Sequence, residues 1–282
     1  MPSGNTLSIP HLLKQYGIRP DKRLGQNFLV DQGSLEKIIA ASDIQPTQHV
    51  LEIGPGLGSL TRHLAGAAAQ VVAVEIDAGL LPPLQDVLAG AVNVRIVHGD
   101  ILELRVRDLI EVDDFIVVAN IPYYITSAII RHLLEARLKP IRIILTIQEE
   151  VARRVCAGPG DLSLLALSVQ VYGAPRIVAR IPAGAFYPAP NVDSAVVRIE
   201  LYPQPLVDES NLELFFRLIH AGFAMKRKTL RNTLSAGMHW DKDEAEDVLG
   251  KAGIDPRRRA QALSMDEWRA LVSIAAGRRP DE

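Results

Sequence analysis

One cysteine, Cys156, stands in a chain of 282 residues. A lone thiol excludes an intramolecular disulfide framework and fits a reducing compartment. No Cys/His cluster has zinc spacing, so no metal is expected. No apolar run is long enough to span a bilayer, and the opening MPSGNTLSIPHLLKQYGIRPDKR holds no apolar stretch of signal-peptide length. A soluble, cytoplasmic protein without a membrane partner is the expectation, and nothing indicates an oligomer. An excess of positive charge is also missing: 31 Lys and Arg face 33 Asp and Glu, a net charge of -2. On the average this argues against a nucleic-acid binder, but averages hide patches. Internal repeats and low-complexity segments are absent. Apolar residues, at 48%, are ample for a core and argue against a disordered chain.

Up to about residue 147, short β-rich runs alternate with helix-like stretches. HVLEIG (49–54), VVAVEID (71–77), VNVRIVHGD (92–100), FIVVAN (115–120) and IRIILTI (141–147) are separated by SLTRHLAGAA, AGLLPPLQDVLAG and TSAIIRHLLEARL. This alternation predicts βαβ units, a mostly parallel sheet with helices on both faces. Asp31 is placed to cap a helix running through Ala41. DLSLLALSVQVYG predicts a further helix, and PRIVARI and SAVVRIEL further strands around the proline-rich PAGAFYPAPNVD. Near 202–210 the pattern changes to helices only. The expected organisation is a ligand-binding α/β domain over 1–205 and a small all-α domain over 206–282.

LEIGPGLGSLT (51–61) follows the first of these strands and opens a helix. Gly54, Gly56 and Gly58 let the backbone turn sharply and approach a ligand closely, although turn glycines alone are a weak signal. The spacing differs from the dinucleotide G-x-G-x-x-G, so no pyrophosphate is required. Glu75 ends the next strand, where a carboxylate can accept hydrogen bonds from both hydroxyls of a ribose. Asp100, at the third strand end, can accept from an exocyclic adenine amine. Each acid alone reads as a solvated strand end. Together with the glycines they describe a nucleoside lying across successive strand tips, and the combination resembles the class I S-adenosylmethionine-dependent methyltransferase fold, Rossmann-like.

FIVVAN runs into IPYYIT. Asn120, Pro122 and Tyr123 at a strand tip suit methyl transfer to an adenine amine. That nitrogen's lone pair is delocalised into the ring, and it must become more tetrahedral to attack a methyl group in line. Acceptors on its hydrogens, the Asn120 side-chain oxygen and the Pro122 carbonyl, favour that geometry. The ring of Tyr123 offers a flat face for the base. Catalysis would then be positioning and electrostatics on a flipped-out base. A plain helix start explains the proline but not the whole string. Tyr124 lines the pocket or packs beneath it.

Four stretches now carry a closer resemblance. NIPYYIT, LGQNFL (24–29), AFYPAPNVDSAVV (185–197) and FAMKRKTLRNTL (223–234) resemble, in order, motifs of the ribosomal RNA adenine N6-dimethyltransferase family, over about residues 10 to 275. The resemblance implies S-adenosylmethionine as cofactor, touched by Asn27, Leu29, Gly54, Glu75, Asp100 and Asn120. It implies that Asn120 also binds the target amine, that Tyr123 stacks on one face of the adenine and that Phe186 covers the other. From the residues alone, Phe186 among prolines reads equally as core. The late segments resemble the branch that dimethylates two adjacent adenosines in the hairpin near the 3′ end of small-subunit (16S) RNA. The implied partner is that RNA or a pre-30S particle. Met225 departs from that branch, where glutamine is frequent. The alternatives are a large-subunit adenine methyltransferase of the antibiotic-resistance branch, an assembly factor with secondary catalysis and, more distantly, an oxidoreductase.

The charge distribution carries one patch. From Leu214 to Trp240 there is no acid, while Arg217, Lys226, Arg227, Lys228 and Arg231 are basic. Arg227 and Arg231 are one helical turn apart, so they are expected to share a face. A solvated helix face is the bland reading; contact with RNA phosphates is the reading the target favours. Arg257, Arg258 and Arg259 form a second cluster.

Overall fold

The central apolar runs become strands buried on both faces, whereas those at the sheet edges are only partly buried. The computed structural model describes residues 7–122 and 125–277. Its strands are β1 (Phe28–Leu29), β2 (His49–Ile53), β3 (Gln70–Glu75), β4 (Val94–His98), β5 (Phe115–Asn120), β6 (Arg142–Gln148), β7 (Gly173–Ile181), β8 (Phe186–Tyr187) and β9 (Ser194–Leu201). Seven form one sheet in the order β4-β3-β2-β5-β6-β9-β7. The first five are parallel, and β9 runs antiparallel to β6. β1 and β8 make a separate antiparallel pair, Leu29 opposite Phe186. Phe115, Ile116, Val117, Val118 and Ala119 of β5 are all buried, as expected of a central strand covered on two sides.

The helices are α1 (Ile9–Gln15), α2 (Gln32–Ser42), α3 (Ser59–Ala67), α4 (Leu81–Val87), α5 (Val106–Leu109), α6 (Thr126–Glu135), α7 (Glu149–Val155), α8 (Leu164–Gln170), α9 (Leu212–Phe223), α10 (Leu230–Met238), α11 (Lys242–Lys251) and α12 (Met265–Ala276). Asp31 caps α2 by accepting from the Ser34 backbone N–H at 2.8 Å. The Pro-Pro pair of LLPPLQDV sits in the first turn of α4, where a missing N–H costs no helical hydrogen bond. At its far end α2 stops at Asp43, which is left-handed at φ 48. The Arg142 and Arg198 guanidinium groups donate there to the carbonyls of Ser42 and Ala41, at 2.8 and 2.9 Å.

The chain divides into two compact units: residues up to Ala152 together with Arg176–Leu201, and Arg153–Pro175 together with Tyr202 onward. The second unit therefore takes in α8, which precedes β9 in the chain. Within it Tyr172 stacks on Phe216 of α9, and the backbone N–H groups of Tyr202 and Leu206 donate to the carbonyls of Tyr172 and Val171. Phe215, Leu218, Leu234, Val248, Trp268 and Leu271 form its interior. Capping boxes open α11 (Asp241, Glu244) and α12 (Ser264, Glu267). No helix among the described residues is long and apolar enough to cross a membrane.

Candidate active site

The strand order reverses between β3-β2 and β5, and an open crevice lies beyond the carboxyl ends of these strands, where such sheets bind ligands. The cleft, of about 1020 Å³ with its mouth included, lies within the first unit. Its floor is the turn after β2. Gly54, Gly56 and Gly58 have φ of 69, 58 and 82, a conformation that side chains with a Cβ rarely adopt. A Cβ on Gly56 would also lie 3.0 Å from the Phe28 ring.

The acids stand around this floor. Glu75, at the end of β3, is 4% exposed. One of its oxygens accepts from Gly56 N–H at 3.0 Å and the other from Asp77 N–H at 2.9 Å. Each oxygen keeps a lone pair, so the carboxylate is held in place and can still receive two hydroxyls. Burial pushes its pKa above the usual carboxylate value, and the backbone donors partly offset this. Asp100 lies two residues past β4 rather than within it, because that strand ends at His98. Its Oδ1 accepts from Leu102 N–H at 2.9 Å, and Oδ2 has no partner among the described residues.

One acid was missed by sequence reasoning. Glu52, on β2, lines the same cleft and is 1% exposed. Burial pushes its pKa up to about 8; the Thr61 hydroxyl pulls it back in part, and the Glu75 charge adds a smaller push upward. Neither Glu52 Oε2 nor Thr61 Oγ1 has a regular hydrogen-bond partner among the described residues. The available signal was a carboxylate inside an otherwise apolar central strand, HVLEI.

Asn120 closes the fourth side at the tip of β5. Its Nδ2 donates to the main-chain oxygen of Asn27 at 3.2 Å, which leaves Oδ1 as the acceptor on offer. Asn27 and Leu29 also line the cleft. Pro122 lines it too, and its carbonyl already accepts from Ile125 N–H at 3.3 Å and from the Thr126 hydroxyl at 3.5 Å. Tyr123 and Tyr124 lie outside the described residues. Phe186 is not part of the cleft lining. It is 4% exposed and packs with Leu29, Leu35, Ile38 and Val196 in the core, while Tyr187 beside it is 43% exposed.

The family model described as ribosomal RNA adenine dimethylase matches residues 18–276. The chain belongs to the ribosomal RNA adenine dimethylase family. It is 47% identical to the ribosomal RNA small subunit methyltransferase A of Dehalococcoides mccartyi, covering 94% of this chain and 92% of that one. It is 42% identical to the protein of the same name from Pelotomaculum thermopropionicum, over 94% of both chains. Among solved structures it is similar to the 23S rRNA methyltransferase ErmE, with a TM-score of 0.72 and 29% identity over 88% of this chain and 99% of that one. A dimethyladenosine transferase from Plasmodium falciparum gives a TM-score of 0.74 and 26% identity, over 86% and 95%.

As a member of this family the protein is an S-adenosylmethionine-dependent methyltransferase that acts on rRNA. The residues present fit that cofactor. Glu75 keeps accepting capacity beside its two backbone donors, Asp100 keeps Oδ2 free of partners among the described residues, and the Gly56 turn leaves no room for a side chain that would fill the floor.

The basic residues of the second unit are arranged otherwise than helical spacing suggested. α10 begins at Leu230, with Thr229 at its N-cap, so Lys226, Arg227 and Lys228 lie in the exposed loop before it. Arg227 and Arg231 therefore do not share a helix face. Arg231 is ion-paired with Glu246 at 2.8 Å, and Arg258 pairs with Glu267. Arg217 is exposed on α9.

Proposed function

We propose that this protein dimethylates N6 of two adjacent adenosines in the hairpin near the 3′ end of small-subunit rRNA, in the cytoplasm and on a precursor of the small subunit. The observation that carries the chemistry is the Asn120 amide. One N–H of its NH2 group donates to the Asn27 carbonyl and orients the amide, so its oxygen is the acceptor presented to a target amine. Identity of 40% and more to several proteins named for the small-subunit RNA supports the choice of target over the large-subunit branch.

S-adenosylmethionine supplies an electrophilic methyl carbon that leaves its sulfur with the bonding electrons left behind. Asn120 Oδ1 and the Pro122 carbonyl accept the two hydrogens of the amine and draw its lone pair out of conjugation. Glu75 anchors the ribose of the cofactor, and Asp100 its adenine amine. The Tyr123 ring stacks on the target base. Phe186 can reach the opposite face only by turning out of the core, so a stacking role for it carries a packing cost. As the new N–C bond forms, the nitrogen becomes cationic and loses its proton without a strong base. Arg217, Lys226, Arg227, Lys228 and Arg231 hold RNA phosphates.

Mass spectrometry of both ribosomal RNAs, from cells with and without this protein, tests the reading. Loss of two neighbouring dimethyladenosines from the small-subunit RNA is expected. Loss of a modification from the large-subunit RNA instead would overturn it, and an unchanged RNA would leave an assembly role.

A further inference from the structure

The Asn120 amide can sit in its pocket in two orientations, and only one presents an acceptor to the target amine. In the other, an NH2 group meets an NH2 group. The Asn27 carbonyl decides between them. What places that carbonyl is therefore part of the catalytic geometry.

On its C-terminal side Asn27 is held by β1, through the ladder to β8 and the donation from Val30 N–H to the Ala185 carbonyl at 2.9 Å. On its N-terminal side no strand holds it. A side-chain clip stands there instead. Gln26 Oε1 accepts from Asp21 N–H at 2.8 Å, and Gln26 Nε2 donates to Asp77 Oδ2 at 2.6 Å. The other Asp77 oxygen accepts from Gly79 N–H at 2.9 Å, and the Asp77 N–H donates to Glu75. Every polar atom of the clip is committed in a single sense. A continuous chain of contacts thus runs from Glu75 through Asp77 and Gln26 to Asn27 and Asn120.

We propose that Gln26 and Asp77 are positioning residues: their clip pins the segment 21–29 across the cleft so that the Asn27 carbonyl holds the Asn120 amide with its oxygen toward the substrate. This rests on the amine-clamp reading of Asn120 given above. Neither Gln26 nor Asp77 needs to touch the target base.

The polarity of the clip suggests its own test, in the full-length enzyme with substrate RNA and cofactor both saturating. Gln26→Glu sets two carboxylates against each other. Asp77→Asn sets two NH2 groups against each other, and flipping the Gln26 amide moves the conflict to Asp21 N–H. The double variant restores every bond, with only the one between the two side chains reversed: the new carboxylate at 26 accepts from Asp21 N–H and from the new amide at 77, whose oxygen accepts from Gly79 N–H. Each single variant is expected to lose about tenfold or more in kcat, with the KM for RNA and the melting temperature little changed, and the double variant to recover to within a few-fold. A double variant as impaired as the worse single one, or single variants at full kcat, would overturn the proposal. A loss of melting temperature that tracks the loss of kcat would reduce the clip to a fold element and also overturn it. If Gln26→Glu does not fold, Asp77→Asn measured with and without the second substitution still decides. Asn120→Ala measured in parallel separates the two readings. Full activity there sinks the amine clamp itself, whereas a loss there with unaffected clip variants sinks the clip alone.

Discussion

Glu52 and Glu75 show how two carboxyl groups of similar burial come to different uses. Glu75 has a backbone donor on each oxygen and can hold its charge against the cost of burial. Glu52 has no such support on Oε2, and its pKa rises to about 8. Its folded pKa is raised above the ordinary value near 4.5, so between these values the folded chain holds a proton that the unfolded chain has released. Stability therefore falls as pH climbs through that window, by at most about 1.4 kcal/mol per unit. Glu52→Gln, which cannot ionise, is expected to be more stable than the parent above pH 8 and to lose the advantage towards pH 4.5. Denaturant titrations across that range check it, and parallel curves would refute it. The Glu75 pKa is also raised, but in binding the pH dependence has the opposite sign, because the ionised form holds the ribose: cofactor affinity should begin to fall on acidification before the ordinary carboxylate range is reached. Calorimetric titration against pH reads this directly, and affinity flat down to pH 4 would contradict it.

Helix packing in the second unit depends on close approach more than on patterning. A Cβ on Gly237 of α10 would lie 2.5 Å from the Ala221 Cβ and 2.9 Å from its Cα, so α9 and α10 meet nearly backbone to backbone. Gly237→Ala, although it favours a helix locally, is expected to destabilise by about 1–3 kcal/mol through overpacking, measured by chemical denaturation. A neutral or stabilising result would mean the helices separate easily. The charged loop before α10 makes a second contrast. Arg227 is exposed and outside any ion pair among the described residues, whereas Arg231 is engaged with Glu246. If this face holds RNA phosphates, Arg227→Ala should reduce the slope of log affinity against log salt by about 0.7–0.9, and Arg231→Ala should reduce it less. Equal slopes for both variants and the parent would leave the loop merely solvated.

At the scale of the whole molecule, the second unit is discontinuous in sequence. Residues 153–175 leave the α/β unit, contribute α8 and return to the sheet through β7. A fragment of 206–282 therefore lacks Tyr172, the stacking partner of Phe216, and the backbone acceptors at 171 and 172. Expressed alone, it should keep helical far-UV signal, lose near-UV signal and bind apolar dyes. A sharp cooperative melt would show instead that α9 to α12 suffice.

The α/β architecture, the glycine turn, Glu75 and the positions of Asn120 and Pro122 at the end of β5 were legible in the sequence because each is local. A buried strand is a run of apolar residues, and a residue at its tip is placed by that strand alone. Asp31 as a helix cap was legible for the same reason. Tertiary structure alone decided the rest. The bonds from Gln26 to Asp77 and from Asn120 to Asn27 span 51 and 93 positions, and no periodicity announces them. The burial of Phe186 follows from the β1–β8 pairing, and the pairing of Arg231 from a helix that starts later than its charge pattern suggested. Local sequence pointed to Gly54, Glu75 and Asn120 at the cleft and missed Glu52. Only folding, which brings distant donors and acceptors within 3 Å or so of each other, settled which way their polar atoms face.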